Sequence, residues 1–287
     1  MLVTTGEAKT ILTAQTAGFL ASAPYPFTHS LSAYTGCGYG RTTCGLYCYA
    51  QFMPNWTFHS QGQAWGDAVR VKANAPELLD QVLRAMDAER RGRLRIFMSS
   101  TTDPYQPLEA THQMTRRCLK VFARYPDLGL LVIQTRSPLA ARDFDLIGQI
   151  PYAWLSVTIE TDDPELLRSL RGGPQLARRF ALVREARQRG MNAQIAVSPC
   201  MPYTAGFAPA LAESGASRVV VDTCVDGDGS GGQRTARSPY ATAIASWRET
   251  EPAHALFQQL LALGVDTGWS AAGFCGIPSH TMQPQLL

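Results

Sequence analysis

Three cysteines stand within twelve residues, in Tyr34-Thr35-Gly36-Cys37-Gly38-Tyr39-Gly40-Arg41-Thr42-Thr43-Cys44-Gly45-Leu46-Tyr47-Cys48-Tyr49-Ala50. The spacing is Cys37-x6-Cys44-x3-Cys48, in a glycine-rich loop that follows a candidate strand at about 30–35. Soft thiolates gathered in this way suit zinc or an iron-sulfur cluster. A structural zinc site wants four protein ligands, and no histidine or fourth cysteine lies nearby in sequence. Three thiolates on a cubane cluster leave one iron open to a small molecule. A zinc loop that borrows a distant ligand, or plain buried cysteines, are the alternatives that ligand type and count leave standing. The five histidines, His29, His59, His112, His254 and His280, form no metal-spaced pair.

The remaining chemistry-bearing groups fall where strands are expected to end. Ser99, Ser100, Thr102 and Asp103 follow an apolar run and offer hydrogen-bond donors and acceptors, while Asp103-Pro104 also reads as a turn initiator. Ser156 and Thr158 share a face by the two-residue strand period, and Glu160 continues it. An acid there is costly to bury unless paired or bound to a ligand. Arg136 offers a rigid donor fork for a carboxylate, with a solvated strand-end charge as the alternative. Cys200, Cys224 and Cys275 lie near strand ends or the tail without a compact pair, and buried structural cysteine is ordinary. The run Asp226 to Gly232 admits a backbone phosphate cradle. It lacks a Walker ending, and its aspartates favour a flexible, substrate-side loop.

The elements that must hold these groups alternate. Helical spacing over 75–91 (Leu78, Leu79, Val82, Leu83, Met86) precedes a strand over 94–98, then a helix over 108–125 and a strand over 130–134. A short helix over 142–147, a strand over 153–159, a helix over 174–189 and a strand over 192–197 continue the series. A helix near 207–214, a strand over 218–221, a long helix over 240–263 and a short strand near 266–270 complete it. Short apolar strands between longer helices mean βα units on a parallel sheet. Six or seven units are slightly few for a closed eight-stranded barrel, so a partial barrel is expected, with its chemistry at the strand C-terminal ends. Residues 1–30 read as an irregular lead-in packed by aromatics, 31–240 as the core, and 241–287 as a C-terminal helix and tail that close it.

With 287 residues and 45% apolar content, the chain can bury a large core, and disorder is excluded for its bulk. Charged residues make up only 17%, and the formal net charge of +3 comes from 26 basic and 23 acidic residues spread along the chain. That balance permits nucleic acid without indicating it. No membrane span or secretion signal is expected, and the crowding of cysteines reads as a reducing, cytoplasmic compartment.

Several motifs in order resemble one family. Gly36-Cys37 with Tyr47-Cys48-Tyr49-Ala50 resembles the cluster loop of radical S-adenosylmethionine (SAM) enzymes, in the branch similar to spore photoproduct lyase. Met98 to Glu109 resembles that branch's "TDPYQPxE" signature. Thr135-Arg136-Ser137 with Arg142-Asp143, then Ser156 to Thr161, Ala196 to Pro202 and Asp226 to Ser230 resemble its later strand ends. The usual cysteine spacing of the superfamily is Cys-x3-Cys-x2-Cys, and both gaps are longer here. The resemblance covers roughly residues 31–240. It implies an α/β fold, a (β/α)6-type partial TIM barrel with parallel strands. It also implies a [4Fe-4S] cluster on Cys37, Cys44 and Cys48, which cleaves SAM to a 5′-deoxyadenosyl radical for hydrogen abstraction from an unidentified substrate.

The same resemblance implies SAM contacts from Tyr49, Ser99, Ser100, Thr102, Asp103, Arg136, Ser156, Thr158 and Glu160. One of Cys200, Cys224 and Cys275 would donate a hydrogen atom, or the three would hold a second cluster. An electron donor such as ferredoxin or flavodoxin would reduce the cluster. DNA lesion repair like that of spore photoproduct lyase, or a non-catalytic metal- or cluster-stabilised binding module, are the alternative functions.

Overall fold

The computed structural model describes residues 1–42, 44–169 and 173–279. His280 and the end of the tail expected to close the barrel lie outside the described residues. Eleven strands are described: β1 (Leu2–Gly6), β2 (Leu12–Ala14), β3 (His29–Leu31), β4 (Tyr34–Thr35), β5 (Ala68–Lys72), β6 (Arg95–Met98), β7 (Leu130–Thr135), β8 (Ala153–Thr158), β9 (Asn192–Val197), β10 (Arg218–Val221) and β11 (Thr267–Trp269). They form a three-stranded sheet, β1-β5-β4, and an eight-stranded sheet in the order β11-β10-β9-β8-β7-β6-β3-β2. From β11 to β3 every pairing in the larger sheet is parallel, and β2 adds an antiparallel edge.

Alternation along the strands explains the layers. Ile96, Met98, Leu131, Ile133, Leu155, Val157, Ile195, Val197, Val219 and Val221 point to one face and join the main core cluster. The helices supply the other half of that core through Leu79, Leu83, Leu119, Phe122, Val183, Leu211, Leu256 and Leu260. On the opposite face Phe97, Leu130, Val132, Ala196 and Val220 form a separate apolar cluster with Phe27, Phe274 and Ile277. Toward the C-terminal ends that inner face turns polar, with Ser99, Gln134, Ser156, Thr158, Gln194, Ser198 and Asp222 in the places of the apolar residues.

The two edges of the larger sheet, β11 and β2, do not pair, so the sheet is not a closed barrel. Side chains and loops bridge the gap instead. Phe274 lies 5.5 Å from Phe19 and 6.2 Å from Phe97, ring centre to ring centre. Tyr25 donates its amide to the Cys275 carbonyl, and buried Arg95 donates to the carbonyls of Tyr25, Pro26 and Ile277.

Several expectations shift in detail. The lead-in is not wholly irregular: β1 pairs with β5 and β2 with β3, so these polar, low-periodicity segments are ordered by backbone pairing. The single strand expected over 30–35 is two strands in different sheets. The helix over 75–91 divides into Ala75–Arg84 and Ala88–Gly92, where Asp87 caps the second through the Arg90 amide. The helix over 108–125 divides at Gln113, whose φ of 52° is left-handed. The last helix divides into Pro239–Ala243 and Glu251–Ala262. In the two pieces of the last helix, Pro239 and Pro252 at the first or second position permit starts that apolar spacing does not reveal.

Candidate functional site

A cavity of about 390 Å³ opens at the C-terminal ends of the parallel strands, within the usual volume range of small-molecule sites. Cys37, Cys44, Cys48 and Tyr49 line it from the cysteine loop, Ser99 to Asp103 from the end of β6, and Gln134 to Arg136 from β7. Thr158, Ser198, Asp222, Thr223 and Cys224 come from the later strands, and Gly18, Phe19 and Leu20 from the lead-in.

Cys44 lies between Cys37 and Cys48 and interacts with each of them. Those two neighbours, and the Arg136 cation, hold the Cys44 thiol well below its ordinary range despite burial. Hydrogen bonding to Cys44 together with burial pushes Cys37 and Cys48 well up. Among the described residues no three His, Cys, Asp or Glu side chains surround one point closely enough to hold a single ion. In a cubane each thiolate serves a different iron, so its donors do not share one point. A soft, all-thiol set of three on a cavity wall fits such a cluster.

Close backbone approach shapes this loop. A Cβ on Gly45 would fall 1.5 Å from the Gly40 carbonyl oxygen, and one on Gly36, where φ is 82°, 2.5 Å from the Ala68 oxygen. The segment after β6 then clamps it. Thr102 Oγ1 donates to the Gly36 carbonyl at 2.7 Å, and Gln106 accepts the Gly38 amide at 2.7 Å. Tyr34 donates to Glu109, which also accepts from Thr115, Arg116 and Arg142. Much of the Met98–Glu109 motif therefore grips the chain on either side of Cys37.

The other candidates divide into those open to the cavity and those committed to the protein. Ser99, with φ of 71°, lines the cavity and its Oγ has no partner among the described residues. The Ser100 carbonyl accepts the Tyr49 hydroxyl. Thr158 lines the cavity and accepts from Gln134 at 3.0 Å. Ser156 lies just beneath, between Gln134 and Gln194, and does not line the cavity.

Asp103 reaches the cavity, but Thr135 Oγ1 (2.6 Å), the Tyr105 amide (2.8 Å) and the Arg136 amide (2.9 Å) already engage both its oxygens. The turn role is the one these bonds express, and Asp103 also staples β6 to β7. Burial pushes its carboxyl up and the three donors pull it part of the way back.

Arg136 and Glu160 meet each other. Arg136 Nη1 donates to Glu160 and to the Tyr47 hydroxyl, and Arg179 Nη1 donates to the second Glu160 oxygen. Glu160 is fully buried and does not line the cavity. Burial opposes its charge, yet Arg136 and Arg179 outweigh that and hold the carboxyl well below its usual range. The alternative of a solvated strand-end charge gives way to a buried ion-pair network.

Among the three late cysteines only Cys224 lines the cavity. Cys200 is half-buried against the core. Cys275 packs among Leu20, Phe97 and Phe274, its thiol donating to the Leu20 carbonyl at 3.4 Å. Burial pushes the Cys200 and Cys224 thiols up to about 12. The Asp226 to Gly232 loop lines the cavity through Gly227, Asp228 and Gly229, but not as a phosphate cradle. Asp228 accepts the amides of Ser230, Gly232, Arg234 and Thr235, so those amides serve an internal carboxylate rather than a phosphate and tie the loop down.

Sequence reasoning passed over Tyr47, Gln134, Arg179, Gln194 and Asp222. Asp222 had a legible signal, since it directly follows the Val219-Val220-Val221 run at the chemistry-bearing end of a strand. Arg179 had none, being one of many arginines on a helix.

No family model matches the chain. An uncharacterized protein of Methanocaldococcus jannaschii is 30% identical over 173 residues, 60% of this chain and 60% of that one. An uncharacterized protein of Acidianus two-tailed virus is 30% identical over 132 residues, 44% of this chain and 42% of the other. The chain thus spans about 60% or less of the length of these curated relatives. Solved structures of spore photoproduct lyase superpose with a TM-score of 0.55 at 17% identity, covering 77% of this chain and 61% of that one. One holding AdoMet and dinucleoside spore photoproduct superposes at 0.53 and 17%. The chain has the fold of spore photoproduct lyase. No helix among the described residues is long and apolar enough to cross a membrane.

Proposed function

We propose that this chain is a radical SAM enzyme that abstracts a hydrogen atom from an unidentified substrate. The observation that carries the proposal is the set of three thiols, Cys37, Cys44 and Cys48, together on the wall of a cavity at the strand C-terminal ends. The shared fold supports it. In this reading β3 and β6 to β10 with their helices are a (β/α)6 partial barrel over 31–240, flanked by the lead-in and a closing C-terminal segment. A [4Fe-4S] cluster on the three thiolates, with SAM, would supply a 5′-deoxyadenosyl radical.

The chain's own residues position and shield that chemistry. The Arg136 cation favours thiolate at Cys44. Thr102 and Gln106 fix the loop, and Tyr49, Ser99, Ser100 and Thr158 present ring, hydroxyl and carbonyl groups to a ligand. Arg136 and Glu160 act on SAM indirectly, by holding this wall rigid. A ferredoxin or flavodoxin of the cytoplasm would be the electron donor.

The test is anaerobic reconstitution with iron and sulfide, reduction, and assay of 5′-deoxyadenosine release from SAM. Release by the wild type and none by the Cys37→Ala/Cys44→Ala/Cys48→Ala variant is the expected result. A protein that loads zinc in place of iron would overturn the proposal.

A second reading, repair of a DNA lesion, is favoured by the fold shared with spore photoproduct lyase and by Cys224, a thiol on the cavity wall outside the cysteine loop. There Cys224 would give its S–H hydrogen atom to a substrate carbon radical and become a thiyl radical. Incubation with dinucleoside spore photoproduct under the same conditions tests it. Thymidine-containing product from the wild type and not from Cys224→Ala is expected, and no product from either removes it.

A further inference from the structure

The acids at this end of the sheet are satisfied unequally. Asp103 takes three donors, Asp228 takes the amides of four residues, and Glu160 faces two arginines and a tyrosine. Asp222 lines the same cavity, is fully buried, and has neutral donors about it: Ser198 Oγ at 3.0 Å, the Thr223 amide at 2.9 Å and the Ser270 hydroxyl. None of the ion pairs among the described residues includes it. Arg234, on the same cavity wall, gives its Nη1 to the Asp228 carbonyl at 2.6 Å.

We propose that Asp222 is the anchoring carboxylate for a cationic nitrogen, ammonium or guanidinium, of the molecule that occupies this cavity. A buried carboxylate without a cation is unfavourable, and a ligand that brings the charge removes that cost on binding. Among the described residues none is paired with it: Asp226, Tyr49 and Cys224 face it, each neutral or acidic, and Arg234 on the same wall donates to the Asp228 carbonyl. Gly227 presses its backbone against the carboxyl, and a Cβ there would lie 2.2 Å from Oδ2. The carboxyl is therefore held in one place by Ser198, Thr223 and Gly227. Burial pushes it up to about 6, so it is still largely ionised at neutral pH.

The inference rests on the reading that this cavity holds the reacting molecules, and not on the cluster. The cation has two sources, SAM itself or the substrate, and the experiment has an arm for each. In the first, SAM is titrated calorimetrically into the reconstituted wild type and Asp222→Asn. In the second, methylammonium and methylguanidinium, with neutral acetamide as the control, are added to protein without cluster and thermal unfolding is followed.

At least tenfold weaker SAM binding by Asp222→Asn assigns the cation to SAM. A rise in wild-type midpoint with the two cations, absent with acetamide and lost in Asp222→Asn, assigns it to the substrate. Circular dichroism and iron content of Asp222→Asn that match the wild type separate lost charge from a damaged fold. Equal behaviour of wild type and Asp222→Asn in both arms would overturn the inference. Wild-type protein that answers to the cations but binds no SAM would leave it standing while the radical SAM reading falls.

Discussion

Gln106 Oε1 accepts the amide of Gly38 at 2.7 Å, across 68 residues of sequence. Gly38 directly follows Cys37, and the same side chain turns its amide nitrogen toward Thr102 Oγ1 and the carbonyl of Gly36, which precedes Cys37. A single buried glutamine thus brackets the first thiol.

Gln106→Ala leaves the Gly38 amide and Gly36 carbonyl short of a buried partner, a loss of about 1–3 kcal/mol in stability. The larger effect is expected on the loop. Iron bound per chain after reconstitution should fall well below that of the wild type while circular dichroism is unchanged. Wild-type iron content in this variant would show that the clamp is dispensable.

Gly45→Ala tests the same loop from within. Its new Cβ would meet the Gly40 carbonyl at 1.5 Å, so backbone must move between Cys44 and Cys48. We expect loss of iron binding with all three thiols still present, read as thiol titration against iron content.

Glu160→Ala strands Arg136 and Arg179, and breaking a buried pair in this way costs roughly 3–5 kcal/mol. Urea unfolding should show it at pH 7. The carboxyl is held below its unfolded value of 4.5, so the pair's stabilisation is complete above that value and is lost as pH falls below it. The gap between wild type and Glu160→Gln should therefore narrow in acid. A gap independent of pH would mean that charge is not what the network contributes.

Asp222 has the opposite sign. Its folded value of about 6 lies above the unfolded 3.8, so the native state binds the extra proton between those values and stability falls as pH rises through that window. Asp222→Asn removes the penalty. It should be the more stable protein at pH 8, by on the order of 2–3 kcal/mol at most, and should lose that advantage by pH 4. Thermal melts at the two pH values decide this, and a variant less stable at pH 8 contradicts it.

The sequence by itself determined the alternation of strands and helices, the loop that carries the thiols and the strand ends where polar groups gather. These follow from local causes, namely apolar period, turn chemistry and residue type. Only the tertiary structure decided which polar groups remain available. Arg136, Glu160 and Asp103 read alike as candidate ligand contacts, yet packing takes Glu160 off the cavity altogether and commits both oxygens of Asp103 to protein donors, while Arg136 keeps a place on the cavity wall. Asp222, an ordinary acid in sequence, ends in the cavity outside every ion pair among the described residues, with Arg234 on the same wall turned to the Asp228 carbonyl. Satisfaction of a buried charge depends on partners far apart in the chain, such as Arg179 with Glu160 or Gln106 with Gly38. No local pattern encodes those distances, and the fold alone brings the groups within a hydrogen bond of one another.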